Sequence, residues 1–311
     1  MPSESAPWPE LPPLTAWQEA HDTLHRWLQI VGKVRLAHAP ALNHSWEATF
    51  YLTSRGLTTG PIHRGSICFQ IDLDLLAHRL RIERADGAAR ELALEPISVA
   101  AFHARVMDML AALDLETQIW PVPVEIPGDV LPFDEDEAHA AYDPDITQRL
   151  WRAMLSTERV FTAYRARFVG KSSPVHLFWG ALDLAVTRFS GRTAPEHPGG
   201  APNVADRVMK EAYSHEVASA GFWPGAGLGE PAFYAYAYPE PEGYRKARVE
   251  PPDAFYHTDL GEFVLPYDAV RTANDPDAVL TSFLETTYAV AADLGAWDRD
   301  ALERNEDSAP E

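Results

Sequence analysis

Apolar side chains recur at helical spacing near the start of the chain, where Trp17, Leu24, Trp27, Leu28 and Val31 share one face. That stripe predicts a helix over about 15–36 with Thr15 as its cap. Gly32 falls near its end, either closing it or sitting within the last turns. The pattern then changes period. "HSWEATFYLT", "SICFQIDLD", "HRLRIER" and "RELALE" read as strands, with Asp86-Gly87 as the turn between the last two. Phe102, Val106, Met109 and Leu113 return to helical spacing and predict a second helix over about 98–113.

Residues 122–144 break the pattern with prolines and a run of acids, which marks an internal boundary. Beyond it the order begins again. A long helix is predicted over about 145–168, ending at "FVGKSSP" much as the first ends at "IVGKVRL". A histidine-headed strand, the hairpin "SHEVASAGFWPG"/"PAFYAYAYP", the strand "GEFVLP" and a helix over about 277–294 follow. Arg55 lies nine residues past Trp46, and Arg188 nine past Trp179; Phe102 precedes Leu113 by eleven, as Phe283 precedes Leu294. The expected fold is therefore α+β: two degenerate helix–antiparallel sheet–helix halves packed into one compact unit. Residues 1–14 form an extended arm, 15–121 the first half, 122–144 a connector, 145–298 the second half and 299–311 a polar tail. His44 stands two residues before Trp46 but His176 three before Trp179, so the two copies match only with a bulge, placed at Gly180.

Composition narrows the function classes. The 311 residues carry a net charge of −20, which disfavours wrapping a polyanion, so no nucleic-acid partner is expected. No apolar run approaches the ~18 residues of a membrane span. The amino terminus lacks the basic start and apolar centre of a signal peptide. Cys68 is the single cysteine, so no internal disulfide forms; a cytoplasmic protein is expected, with Cys68 as a small buried apolar residue.

The candidate chemistry lies in the second half. Taken as one unbroken strand, Val175–Phe189 puts His176, Phe178, Leu182, Leu184, Val186 and Arg188 on one face and Asp183 and Thr187 on the other. His176 and Arg188 would then stand about 40 Å apart, too far for one site unless the strand bends back. Arg188 and Arg192 have an ordinary use as carboxylate partners in so acidic a chain, and otherwise would hold an anionic group. On a strand, His215, Val217 and Ser219 share a face, and His215 with Ser219 can line a polar pocket. Tyr234, Tyr236 and Tyr238 alternate with Phe233, Ala235 and Ala237, giving an aromatic row with hydroxyl tips that lines a cleft or packs as sheet surface. His215 is the first choice as general acid or base and His176 the second, because imidazole titrates near neutrality. No paired-cysteine, HExxH or GxSxG motif is present, and "GAGLGEP" does not open a helix. No metal site is expected; His197, His215 and His257 are the weak candidates for ligands. No motif names a cofactor.

The stretches "GKSSPVHLFWGALDLAVTRFSGR", "AYSHEVASAGFWPG" and "GEFVLPYDAVR", with "RLWRAMLSTERVF" before them, resemble a family of uncharacterised bacterial proteins known as a domain of unknown function. The likeness covers Thr15 to Asp298. It implies kinship without an activity. It also directs attention to the long second-half loops "EHPGG" and "WPGAGLGEP" as binding segments.

The leading functional expectation is a small-molecule-binding protein, enzymatic or not, with its ligand, of anionic character, in a second-half cleft. Arg188, Arg192, Ser219, Trp223, Tyr234 and Tyr236 are its expected contacts. The alternatives are a non-catalytic protein-interaction module and a metal-assisted enzyme with histidine ligands. Oligomeric state is left open.

Overall fold

The computed structural model describes residues 7–304. Residues 1–6 of the expected arm and 305–311 of the expected tail lie outside the described residues. A short 3-10 turn, Leu14–Ala16, leads into helix α1 (Gln18–His38). Thr15 therefore sits in that turn and is not the cap. Gly32 lies inside α1, where the ring of Trp179 packs so closely that a Cβ would stand 2.4 Å from it.

After α1 come β1 (Thr49–Thr53), β2 (Gly56–Thr58), β3 (Ile62–Arg64), β4 (Ile67–Asp74), β5 (Arg79–Arg84) and β6 (Ala89–Ala93). Helix α2 (Val99–Ala111) closes the first half, its amino end capped by the Ser98 hydroxyl on the Ala101 amide. The second half starts with α3 (Pro144–Ala166), capped by Asp143 with a proline at its first position. It continues with β7 (His176–Phe178), β8 (Asp183–Thr193), α4 (Asp206–Ala212), β9 (His215–Trp223), β10 (Ala232–Tyr238), β11 (Phe255–His257) and β12 (Glu262–Pro266). Helices α5 (Tyr267–Arg271), α6 (Pro276–Leu294) and α7 (Arg299–Leu302) complete it.

Among the described residues all strands join one antiparallel sheet of twelve, so the protein is α+β. β1 and β7 meet at its centre, Thr49 opposite Phe178 and Phe50 opposite Leu177. Outward from that pair run β2, β4, β5 and β6 on one side, and β8, β9, β10 and β12 on the other. Each set has a helix before its first strand and another after its last; β3 beside β4 and β11 beside β12 are additions.

Alternation fixes which face each strand buries. In β4, Phe69, Ile71 and Leu73 are buried while Cys68, Gln70 and Asp72 are half-buried. Cys68 is thus on the opposite face from the expected apolar position. Between α1 and α2, Trp27 and Phe102 stack at 4.6 Å. On the second-half sheet, Leu184, Val186, Phe222, Phe233 and Leu265 are buried in the core shared with α3, α5 and α6. The opposite face of β8, β9, β10 and β12 is left for other use.

Three local departures from the expected pattern matter. "HSWEATFYLT" is not one strand: Asn43–Ser45 forms a 3-10 turn with His44 at φ +60°, and β1 starts only at Thr49. Val175–Phe189 is a hairpin rather than one strand, with Phe178 paired to Asp183 and His176 to Ala185. The partners Phe178 and Asp183 are five positions apart, an odd number, so the turn inverts the parity of every side chain in β8. Finally, the tail's first residues are docked, not free: Glu303 bridges to Phe168, and Leu302 accepts the Val169 amide.

Candidate functional site

The exposed-side face of the second-half sheet forms the floor of a cavity of about 760 Å³. β8 contributes Asp183, Ala185, Thr187 and Phe189, each two residues from the next, as the inverted parity requires. β9 contributes Val217, Ser219 and Trp223, β10 Tyr234 and Tyr236, and β12 Glu262. The walls come from elsewhere. Gln18, His21, Asp22 and His25 project from the first turns of α1, and His44 to Trp46 from the 3-10 turn. Glu125, Ile126 and Pro127 belong to the connector, and Val208 and Met209 to α4. The loop after β9 closes one side with Gly225, Ala226 and Gly227. Among the described lining residues there is no lysine and no arginine.

Three carboxyls dominate the cavity's electrostatics. Asp183 is raised to about 6 by burial, against the hydrogen bond donated by Tyr234. Glu125 is raised to about 7 and Glu262 to about 8, in each case by burial first and then by the charge of Asp183. Asp183 and Glu262 are half-buried and Glu125 is exposed, all three facing the cavity. Glu125 reaches this position from a backbone at φ +58°, its amide bonded to the Pro202 carbonyl at 2.7 Å. Its carboxylate passes so near Gly180 that a Cβ there would stand 2.1 Å from Oε1. Neither the Glu125 nor the Glu262 carboxyl accepts a hydrogen bond from a described residue, whereas the hydroxyls are engaged. Tyr234 donates to Asp183, Tyr213 and Tyr236 share a bond at 2.9 Å, and Thr187 and Ser219 share another at 2.9 Å.

The nearby imidazoles are of a different kind. His25 donates from Nε2 to the Gly180 carbonyl at 2.8 Å, and burial lowers it to about 4, so it stays neutral. His44 is pinned between the Ala212 carbonyl and the Lys171 ammonium, at 2.9 and 2.8 Å.

The residues singled out from sequence divide sharply. Ser219, Trp223, Tyr234 and Tyr236 line the cavity together. His215 does not: it starts β9 beside the cavity, its ring edge-on to His44 at 5.6 Å. His176 shares a sheet face with Phe178 but is sealed beneath Trp46 and Tyr51, and burial lowers it to about 3. Arg188 lies on the far face of β8, buried, with its guanidinium 3.4 Å from the Tyr164 ring centre and 4.3 Å from that of Tyr288. Arg192 is at the sheet's end, paired with Glu216 at 2.6 Å and reaching the carbonyls that end α6. Neither arginine lines this cavity. His197 stacks on Tyr213 and His257 accepts the Leu260 amide at a turn. Among the described residues no three His, Cys, Asp or Glu side chains converge as metal ligands. Of the two long loops, "WPGAGLGEP" lines the cavity and "EHPGG" does not.

Sequence reasoning missed Glu125, Asp183 and Glu262. Asp183 left a signal, a carboxylate among the apolar residues of a buried strand, where an ionised group needs a reason. Glu125 and Glu262 left none beyond their charge.

Fold and site together define an α+β protein with one continuous antiparallel sheet and an acidic, tyrosine-rich cavity on one half. Residues 8–304 match the family described as "Family of unknown function (DUF5996)", and the chain belongs to it. No curated protein and no solved structure matches the chain. No helix among the described residues is long and apolar enough to cross a membrane.

Proposed function

We propose that the second-half cavity is the working site and that it binds a small organic molecule, with its carboxyls available for proton transfer. The observation that carries this reading is a space of about 760 Å³, the size of a ligand pocket, onto which three carboxyls displaced toward neutrality converge. Groups titrating near 6 to 8 exchange protons readily at neutral pH. The acid–base role first assigned to His215 therefore passes to Glu125 and Glu262, since His215 is outside the lining and His25 and His176 are held neutral.

A thermal-shift screen of neutral, cationic and anionic fragments against the full chain tests this. Ala185→Trp, which fills the floor of the cavity, is screened in parallel. Fragments that raise the melting temperature of the native chain and lose that effect in Ala185→Trp support the reading. Fragments that act equally on both forms place the site elsewhere.

A further inference from the structure

We infer that the ligand of this cavity is an organic ammonium ion, a molecule with an apolar or aromatic body and one protonated amine seated among Glu125, Asp183 and Glu262. This rests on the cavity being a ligand site, and it specifies what that site accepts.

Charge gives the first reason. Asp22, Glu125, Asp183 and Glu262 line the cavity, and no lysine or arginine among the described lining residues opposes them. Asp22 is already met by His21 at 3.0 Å and by the charge of Arg26, and Lys171 sets its ammonium on His44 Nε2; neither Arg26 nor Lys171 lines the cavity. Near neutral pH Glu125 and Glu262 share their sites with protons. An entering cation takes the place of those protons, while an anion would find no counter-ion among the described lining residues.

Hydrogen-bond accounting gives the second. Tyr234 spends its proton on Asp183, while the Tyr213–Tyr236 and Thr187–Ser219 pairs each use one of their two O–H donors internally. The carboxyls of Glu125 and Glu262 have no donor from a described residue. These acceptors face the cavity, where a ligand rich in N–H can meet them. An alkylammonium brings three donors and a charge on one atom.

Shape gives the third. Aromatic rings stand in the same lining as the carboxyls. Beside them Tyr234 and Tyr236 stack at 6.0 Å, and Trp223 stands edge-on to Tyr234 at 5.5 Å. Aromatic faces next to carboxylates suit an ammonium by cation–π attraction and its carbon body by contact.

Three probes of one shape and different charge decide the matter: 2-phenylethylamine, 2-phenylethanol and 3-phenylpropanoate. Each is titrated calorimetrically into the full chain near neutral pH, and into the isosteric variants Glu125→Gln and Glu262→Gln. The amine should bind at least tenfold more tightly than the alcohol, and the propanoate not at all. Each Gln variant should weaken the amine by about tenfold and leave the alcohol unchanged. The native-chain comparison needs no variant, so it stands even if a variant misfolds. If the alcohol or the propanoate binds as well as the amine and is lost in Ala185→Trp, the ammonium assignment falls while the ligand site survives. If no probe binds but other fragments do so in an Ala185-dependent way, the outcome is the same. If nothing binds, both fall.

Discussion

Tyr234 on β10 donates its hydroxyl to Asp183 on β8, reaching across the whole width of β9. It can do so because the β9 residue opposite Tyr234 is Gly221. A Cβ at Gly221 would stand 2.3 Å from the tyrosine Cζ. The missing side chain is the channel through which the ring lies flat over the sheet. The bond it makes gives the Asp183 carboxyl a side-chain donor, beside the residue's own backbone amide.

Gly221→Ala should therefore lift the Tyr234 ring off β9 and break its bond to Asp183. Overpacking of this kind costs about 1–3 kcal/mol. Tyr234→Phe, which removes only the hydroxyl, should cost a similar ~1–3 kcal/mol by leaving the carboxyl without its side-chain donor. Because both act through one contact, the double variant should lose clearly less than the sum. Urea unfolding of the four forms measures this, and strict additivity would show that the two residues are not coupled.

Stability should fall as pH rises from about 6.5 to 8. Glu125 and Glu262 are raised in the folded chain to about 7 and 8, so the folded state holds protons that the unfolded state has already released. Their contribution is fully present below the ordinary glutamate range and is lost as pH climbs through the folded values. Asp183, raised to about 6, has lost most of its own by then. His25 and His176, lowered to about 4 and 3, act in the opposite sense around the ordinary imidazole value, so they offset part of the fall near pH 6.5 and fade above it. The urea midpoint at pH 8 should be lower than at pH 6.5, and Glu262→Gln should shrink the difference. An unchanged slope in that variant would remove Glu262 as its source.

The two arginines of β8 should behave as scaffold. Arg188→Ala strips a buried cation from between Tyr164 and Tyr288 and should cost about 3 kcal/mol or more. Arg192→Ala removes a half-exposed pair with Glu216 and should cost about 1 kcal/mol or less. Neither should alter the affinity of a cavity ligand once the protein is folded. A specific loss of affinity in either variant would contradict their placement outside the site.

Gly180→Ala should leave the fold intact and change the site. The new methyl meets only the flexible end of Glu125, which can swing aside, so stability should move by less than about 1 kcal/mol. The carboxyl would then leave its position, and affinity for 2-phenylethylamine should drop by about tenfold, equivalent to ~1.4 kcal/mol. Calorimetry on the variant reads this directly.

Much of the frame was legible in the residues. The alternation of "SICFQIDLD" fixes β4, and that of "PAFYAYAYP" fixes β10, because each has one face in the core and one out of it. Pro144 and Pro276 mark helix starts within a residue or two of where they occur. The hairpin at Trp179–Leu182 was hidden: its run is apolar throughout, and its left-handed position is filled by Leu182 at φ +58°, not by glycine or asparagine. Reading through that turn put Asp183 on the wrong neighbours and Arg188 on the site's face. Ser219, Trp223, Tyr234 and Tyr236 were found because alternation alone places them. Glu125 was not, because the proline-rich stretch that carries it looks like a spacer, and only tertiary packing against Gly180 brings it in.

That stretch has one more implication. The hollow is bounded by the leading helix, by a turn ahead of the central strand pair, by the linking segment and by the later strands. A fragment starting at α3, even if it folded alone, would present an open trough without Glu125, His25 or Trp46. Whatever this chain does there, it does as an undivided polypeptide, and complementation between separately made halves is the only way a severed form would regain it.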